Sequence, residues 1–217
     1  MESGVTNARK IPVRSIVDRR RFAWRGAMGI VLLTPAALVT MFADPLVRYG
    51  SWLAVLTDAL AWVAFVAGAG LRFWATLYIG ARKSDEVVCE GPYSICRHPL
   101  YLGSVLLVLS GALFLKSLVF AGAMAVLATI YFTWTVPAEE EYLAARLGEP
   151  YREYRRRVNR LWPSFRHFRT APRIVVDVHS LYLECARASR WIWLPIIGEI
   201  IAYLRAFPWW PRLFTAP

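Results

Sequence analysis

Residues 100–136 read LYLGSVLLVLSGALFLKSLVFAGAMAVLATIYFTWTV, and the fold turns on how they are read. Two apolar runs, Leu100 to Leu115 and Leu118 to Val136, are separated only by Lys116-Ser117. A two-residue break between apolar runs predicts a tight antiparallel helical hairpin. Crossing the hydrocarbon of a bilayer takes about 20 helical residues. The first of these runs reaches that length if Arg97 and His98 sit at the headgroups and Lys116 snorkels at the far end.

Two more runs lie upstream. Gly26 to Ala43 is apolar apart from Thr34 and Thr40, with Pro35 placed to kink it, and Ser51 to Leu71 follows an Asp44-Pro45 turn. Of the 217 residues, 57% are hydrophobic and 19% charged, which is a membrane-class composition. The net charge is +11, from 26 Lys+Arg against 15 Asp+Glu, and the arginines cluster beside the apolar runs. That placement fits an anionic lipid surface as partner, and nothing resembles a nucleic-acid module. Cys89, Cys96 and Cys185 make neither a disulfide framework nor a zinc spacing, so no metal is expected.

The charges also give an orientation. Arg9, Lys10, Arg14, Arg19, Arg20, Arg21 and Arg25 precede the first run, with no convincing cleavage site, so a retained first helix is expected. Arg72, Arg82, Lys83 and Arg97 follow the second run, and more arginines follow the fourth. The other two loops carry only Arg48 and Lys116. Four spans with the N-terminus and the arginine-rich loops in the cytoplasm satisfy this asymmetry.

From Pro137 to Pro163, Leu143, Leu147, Tyr151, Tyr154 and Val158 recur at helical spacing opposite a basic face, and Gly148 and Pro150 break the helix in two. Alone, this reads as an interfacial helix on acidic lipid. Trp191 to Trp210 is aromatic and apolar but interrupted by Glu199 and Arg205, and both a fifth span and an interfacial helix suit it. His167 and His179 read as surface residues, and Asp58, inside the second run, has no evident partner. The chain therefore divides into a basic N-terminal segment (1–25), a membrane core (26–163) and a tail (164–217).

Two stretches carry candidate chemistry. Gly91-Pro92-Tyr93 is a turn, and Pro99 opens a helix cleanly, because the first turn needs no amide donor there. Arg97 and His98 then stand at a helix N-terminus, which favours an anion. They are either a basic membrane flank or a cradle for a small carboxylate or phosphate. Glu139-Glu140-Glu141 is either a set of helix-dipole partners or a carboxylate site for an ammonium group. Together on one membrane face, the two suit a zwitterion.

Gly91-Pro92-Tyr93 followed by Arg97-His98-Pro99-x-Tyr101-x-Gly103 resembles the signature of the isoprenylcysteine carboxyl methyltransferase and phospholipid methyltransferase superfamily. So does Glu139-Glu140-x-x-Leu143, Leu147-Gly148-x-x-Tyr151-x-x-Tyr154, Val158-x-Arg160 and Pro163. The resemblance covers roughly residues 70 to 163. It implies an all-α polytopic membrane enzyme of four to five transmembrane helices, with a cytoplasmic-side pocket for S-adenosylmethionine and a lipophilic small-molecule or lipid acceptor. The implied cofactor-binding residues are Val87, Val88, Tyr93, Arg97, His98, Pro99, Leu100, Tyr101, Glu139 and Glu140. No catalytic residue is implied. The prenylcysteine branch has an arginine four residues before the first Glu, where this chain has Thr135, so a lipid amine or a thiol rivals a prenylcysteine carboxylate as acceptor.

Two other functions compete. Membrane sterol-type reductases, which use NADPH, have a related motif with Asn after the proline and an acidic residue after the glycine. Here those positions are Leu100 and Ser104. A non-catalytic membrane interaction protein would have no use for His98, Tyr101 and Glu139.

Overall fold

The computed structural model describes residues 31–80 and 86–213. The basic N-terminal segment, Arg82 and Lys83 lie outside them. The elements are α1 (Val31–Phe42), α2 (Trp52–Ile79), a one-turn α3 (Pro92–Ile95), α4 (Pro99–Leu115) and α5 (Leu118–Ile130). A π turn, Tyr131–Thr135, joins α5 to α6 (Val136–Leu147), and α7 (Glu149–Arg157), α8 (Val178–Trp191) and α9 (Trp193–Arg205) complete the chain. The expected all-α class holds, with no strand among the described residues.

Two helices are long and apolar enough to cross a bilayer: α2, and the continuous Leu118–Leu147. Only 28% and 11% of their most apolar windows are buried, so most of that apolar surface faces outward, as lipid contact requires. Helices α1 and α4 are apolar but shorter.

The central crossing is α2 on α4, made possible by two glycines. A Cβ on Gly68 would stand 2.8 Å from the Gly103 carbonyl oxygen, and one on Gly103 would stand 2.6 Å from Arg72 Cγ. Small residues let helix backbones approach this closely. The predicted hairpin is present. Lys116 ends α4 in the left-handed conformation (φ 48°), and the Ser117 side chain accepts the Phe120 amide to open α5.

Lys116 does not snorkel. It is buried and ion-paired with Asp58 of α2, which gives Asp58 its partner. A charge enclosed among helices needs such a partner, and Asp58 supplies it from the second run. Arg72 is enclosed in the same way. Its Nε and Nη2 donate to Glu184 of α8 (2.6 and 3.0 Å), and its Nη1 donates to Ser104 Oγ (2.6 Å).

The tail forms an arm along this bundle. It starts beside the end of α2, where Ser180 and Asp177 lie against Gly80. It ends where buried Arg205 donates to the carbonyls of Leu115 (3.0 Å) and Ala43 (2.7 Å), at the far ends of α4 and α1. Between these points Gly198 packs on Phe114 and Gly111 on Leu194. The α8–α9 arm therefore runs alongside α2 and α4, with α9 (Trp193–Arg205) as the helix within the Trp191 to Trp210 stretch.

The π turn has a local cause. Pro137 has no amide proton, and its ring would crowd the carbonyl four residues back in a regular helix. The preceding Val136 amide instead reaches the Tyr131 carbonyl, opening the helix by one residue just before the two glutamates.

Candidate functional site

The first motif is set by backbone constraints. Gly91 has φ 57°, and a Cβ there would fall 2.5 Å from the Tyr78 ring, so glycine is required twice over. Pro92 starts α3 and Pro99 starts α4. The segment after α7 straps this stretch down: the Arg97 amide donates to the Asn159 carbonyl (2.8 Å) and the Ser164 amide to that of Ile95 (3.0 Å). His98 occupies the N-cap of α4 but makes no side-chain cap. Its imidazole reaches α6 instead.

There Glu140 collects the charge. Its carboxylate is fully enclosed, 3.1 Å from His98 Nε2 and 3.3 Å from Arg97 Nη1. Arg160 donates to it through Nη2 (2.9 Å) and Nε (3.3 Å), and Arg155 Nε lies 3.6 Å away. Burial holds the His98 imidazole below its ordinary value, against the pull of the Glu140 hydrogen bond. A neutral His98 whose neighbour is a carboxylate carries its proton on Nε2, and Glu140 accepts it.

Glu139, one residue earlier, points elsewhere and accepts a 2.7 Å hydrogen bond from Tyr101. The rings of His98 and Tyr101 lie 5.6 Å apart, so the two glutamate sites are neighbours. Tyr93 completes the group. Burial, followed by the charge of nearby Glu139, pushes its phenol far above the usual range, which keeps it a proton donor.

The structure brings Arg97, His98, Tyr101, Glu139 and Glu140 into one polar cluster. Val88, Tyr93 and Leu100 meet in an adjoining apolar one with Ala75 and Tyr78, while Val87 is half-buried and Pro99 buried. Tyr154 ties the second motif to the first by donating to the Tyr93 carbonyl (2.8 Å). Sequence reasoning gave no site role to Arg155, Arg160 or Tyr154, although Tyr154 and Arg160 stand in the second motif.

The cluster fits an amino-acid-bearing cofactor on one observation. Arg97 Nε and the Tyr93 hydroxyl are buried without a hydrogen-bond partner, and Arg97 Nη1 has only its 3.3 Å ion contact with Glu140. Buried donors of this kind are costly unless something accepts from them. The Tyr93 hydroxyl lies within the field of Glu139, a half-buried carboxylate that accepts from Tyr101, so donor groups and a carboxylate adjoin. Among the described residues no three His, Cys, Asp or Glu side chains gather as a metal site.

A phospholipid methyltransferase family profile matches residues 51–149, from the start of α2 through the two glutamates. The nickel-cobalt-cadmium resistance protein NccN of Alcaligenes xylosoxydans xylosoxydans is 26% identical over 95% of this chain and 94% of its own length. The cobalt-zinc-cadmium resistance protein CzcN of Cupriavidus metallidurans is 29% identical over 69% of each chain. Protein-S-isoprenylcysteine O-methyltransferase B of Arabidopsis thaliana is 28% identical over 71% of this chain and 79% of its own. No solved structure matches.

Proposed function

Because the chain belongs to the superfamily of phospholipid and isoprenylcysteine methyltransferases, we propose that it transfers a methyl group from S-adenosylmethionine to a lipophilic acceptor in the membrane. The observation that carries this reading is the set of buried, unpartnered donors on Arg97 and Tyr93 beside Glu139. Bound there, the cofactor would supply a methyl group on a positively charged sulfur.

The chain's own residues then divide the work. Arg97 holds a carboxylate through Nε, which has no partner in the fold, while its Nη1 stays against Glu140. Glu139 holds an ammonium group, with Tyr101 fixing the carboxylate's orientation. Glu140 binds no ligand in this scheme. It neutralises the surrounding arginines and locks His98, and so keeps the first turn of α4 in register with α6. Tyr93 and Tyr101 offer aromatic faces to a cation. Methyl displacement needs no covalent enzyme nucleophile, and alignment of donor and acceptor alone can lower the barrier by about 7–11 kcal/mol.

In the same reading, α1, α2, α4 and the Leu118–Leu147 helix cross the bilayer and the α8–α9 arm crosses beside them. The arginine-rich loops, the N-terminus and the cofactor site are cytoplasmic, which the distribution of basic residues supports. The metal resistance in the names of two relatives is a property of those proteins.

A direct test uses purified protein in lipid vesicles with methyl-labelled S-adenosylmethionine. Label should pass into an organic-extractable product, and Glu139→Gln should slow it at limiting cofactor. Label that stays in the cofactor with every lipophilic acceptor supplied contradicts the proposal.

A further inference from the structure

A cavity lies outside the motif cluster, between α2, α4 and α8. It has a volume of about 230 Å³, and its walls include Phe65, Phe73, Leu107 and Trp191, with the Arg72–Glu184 pair at its edge. From Trp52, the start of α2, to Arg72 is a rise of about 30 Å, the thickness of the hydrocarbon. The ion pair therefore marks the membrane boundary nearest the His98 site, and the chamber extends from it into the hydrocarbon.

The polar end of the chamber adjoins the motif. Arg72 Nη1 donates to the Leu100 carbonyl (3.4 Å) and to Ser104 Oγ (2.6 Å), on either side of Tyr101 in the first turns of α4. Tyr93, whose hydroxyl is buried without a partner, packs in the same cluster as Leu100. A group seated at the Arg72 end lies next to the residues assigned to the cofactor.

The chemistry of that end selects the ligand. Arg72 holds Glu184 through two hydrogen bonds, and Arg187 adds a third at 2.8 Å. A carboxylate ligand would have to displace Glu184 from Arg72, and a protonated amine would have to displace Arg72 and Arg187 from Glu184. An uncharged group meets no such obstacle. The volume is below the roughly 300–1,000 Å³ usual for drug-sized ligands, so the occupant is short. Among uncharged nucleophiles, a thiol is the least hydrated and so loses least on entering an apolar chamber.

We infer that this chamber binds the methyl acceptor, and that the acceptor is a small apolar thiol rather than a prenylcysteine carboxylate. The inference rests on the methyltransferase reading above. In the step, the sulfur of the thiol forms the new S–CH3 bond as the methyl–sulfonium bond breaks. The products are a methyl thioether and S-adenosylhomocysteine, and the thiol proton is released to water.

The test is photolabelling of the full chain in detergent with a short alkyl thiol bearing a diazirine. The label is expected on peptides containing residues 65–73 and 184–192. Filling the chamber from either wall, with Ala69→Phe or Ala188→Phe, should cut labelling about tenfold while leaving S-adenosylhomocysteine binding intact. Two variants on different helices keep the test open if one misfolds. Labelling elsewhere, or labelling unchanged in both variants, overturns the chamber assignment. S-adenosylhomocysteine failing to bind the unmodified chain would overturn the cofactor reading instead, and the labelling map is read independently of it.

Discussion

His98 Nε2 lies 3.1 Å from Glu140 Oε1, joining the N-cap of α4 to α6 across 42 residues of sequence. Both groups are buried, and Arg97 and Arg160 close around the same carboxylate. The two halves of the motif are thus clamped by an internal ion cluster. Glu139 beside it stands outside that cluster and accepts from Tyr101 instead.

Replacing Glu140 by Gln should destabilise the fold far more than it changes chemistry. Removing one partner of a buried charge cluster costs about 3–5 kcal/mol, because the remaining cations lose their compensation. The thermal midpoint of Glu140→Gln in detergent should fall by many degrees. A midpoint equal to the parent's would show that the clamp is not structural.

Glu139→Gln should behave in the opposite way. A charge-assisted hydrogen bond contributes about 1.5–3 kcal/mol, so S-adenosylhomocysteine affinity should fall about 10- to 100-fold with the thermal midpoint unchanged. The measurement is calorimetric titration of both proteins side by side. Equal affinity would remove Glu139 from the site.

Gly103→Ala should loosen the bundle. Its new methyl meets Arg72 Cγ at 2.6 Å and the Gly68 carbonyl oxygen at 2.8 Å. Overpacking of this kind costs about 1–3 kcal/mol. Thermal denaturation should show the loss, and Gly122→Ala is the control, since nothing lies within 4 Å of a Cβ there.

His98 makes the fold sensitive to mild acid. Burial lowers its proton affinity in the fold relative to the ordinary value of 6.5, so below that pH the unfolded chain binds the extra proton first. The contribution to stability is complete above pH 6.5 and is lost as pH falls towards the lower folded value. The midpoint of the parent should drop between pH 7.5 and 5.5 by more than that of His98→Gln. A parallel decline in both would assign the effect to other groups.

Much of this architecture was legible in the sequence. Pro99 and the Lys116-Ser117 break each fix a helix end by local backbone chemistry, so the hairpin and its entry point could be read directly. Gly148 and Pro150 divided α6 from α7 for the same reason. The pairings of Arg72 with Glu184 and of Asp58 with Lys116 could not, since they join residues 112 and 58 positions apart by packing alone. The division of labour between Glu139 and Glu140 was equally hidden. Adjacent residues on a helix point about 100° apart, and only the position of α4 decides which one is enclosed.

A methyltransferase with this site must bind S-adenosylmethionine and its product. Calorimetric titration of the detergent-purified protein with S-adenosylhomocysteine, and separately with NADPH, tests it most directly. Saturable binding of S-adenosylhomocysteine is expected, weakened in Glu139→Gln, with no heat from NADPH. Binding of NADPH alone, or of neither, would contradict it.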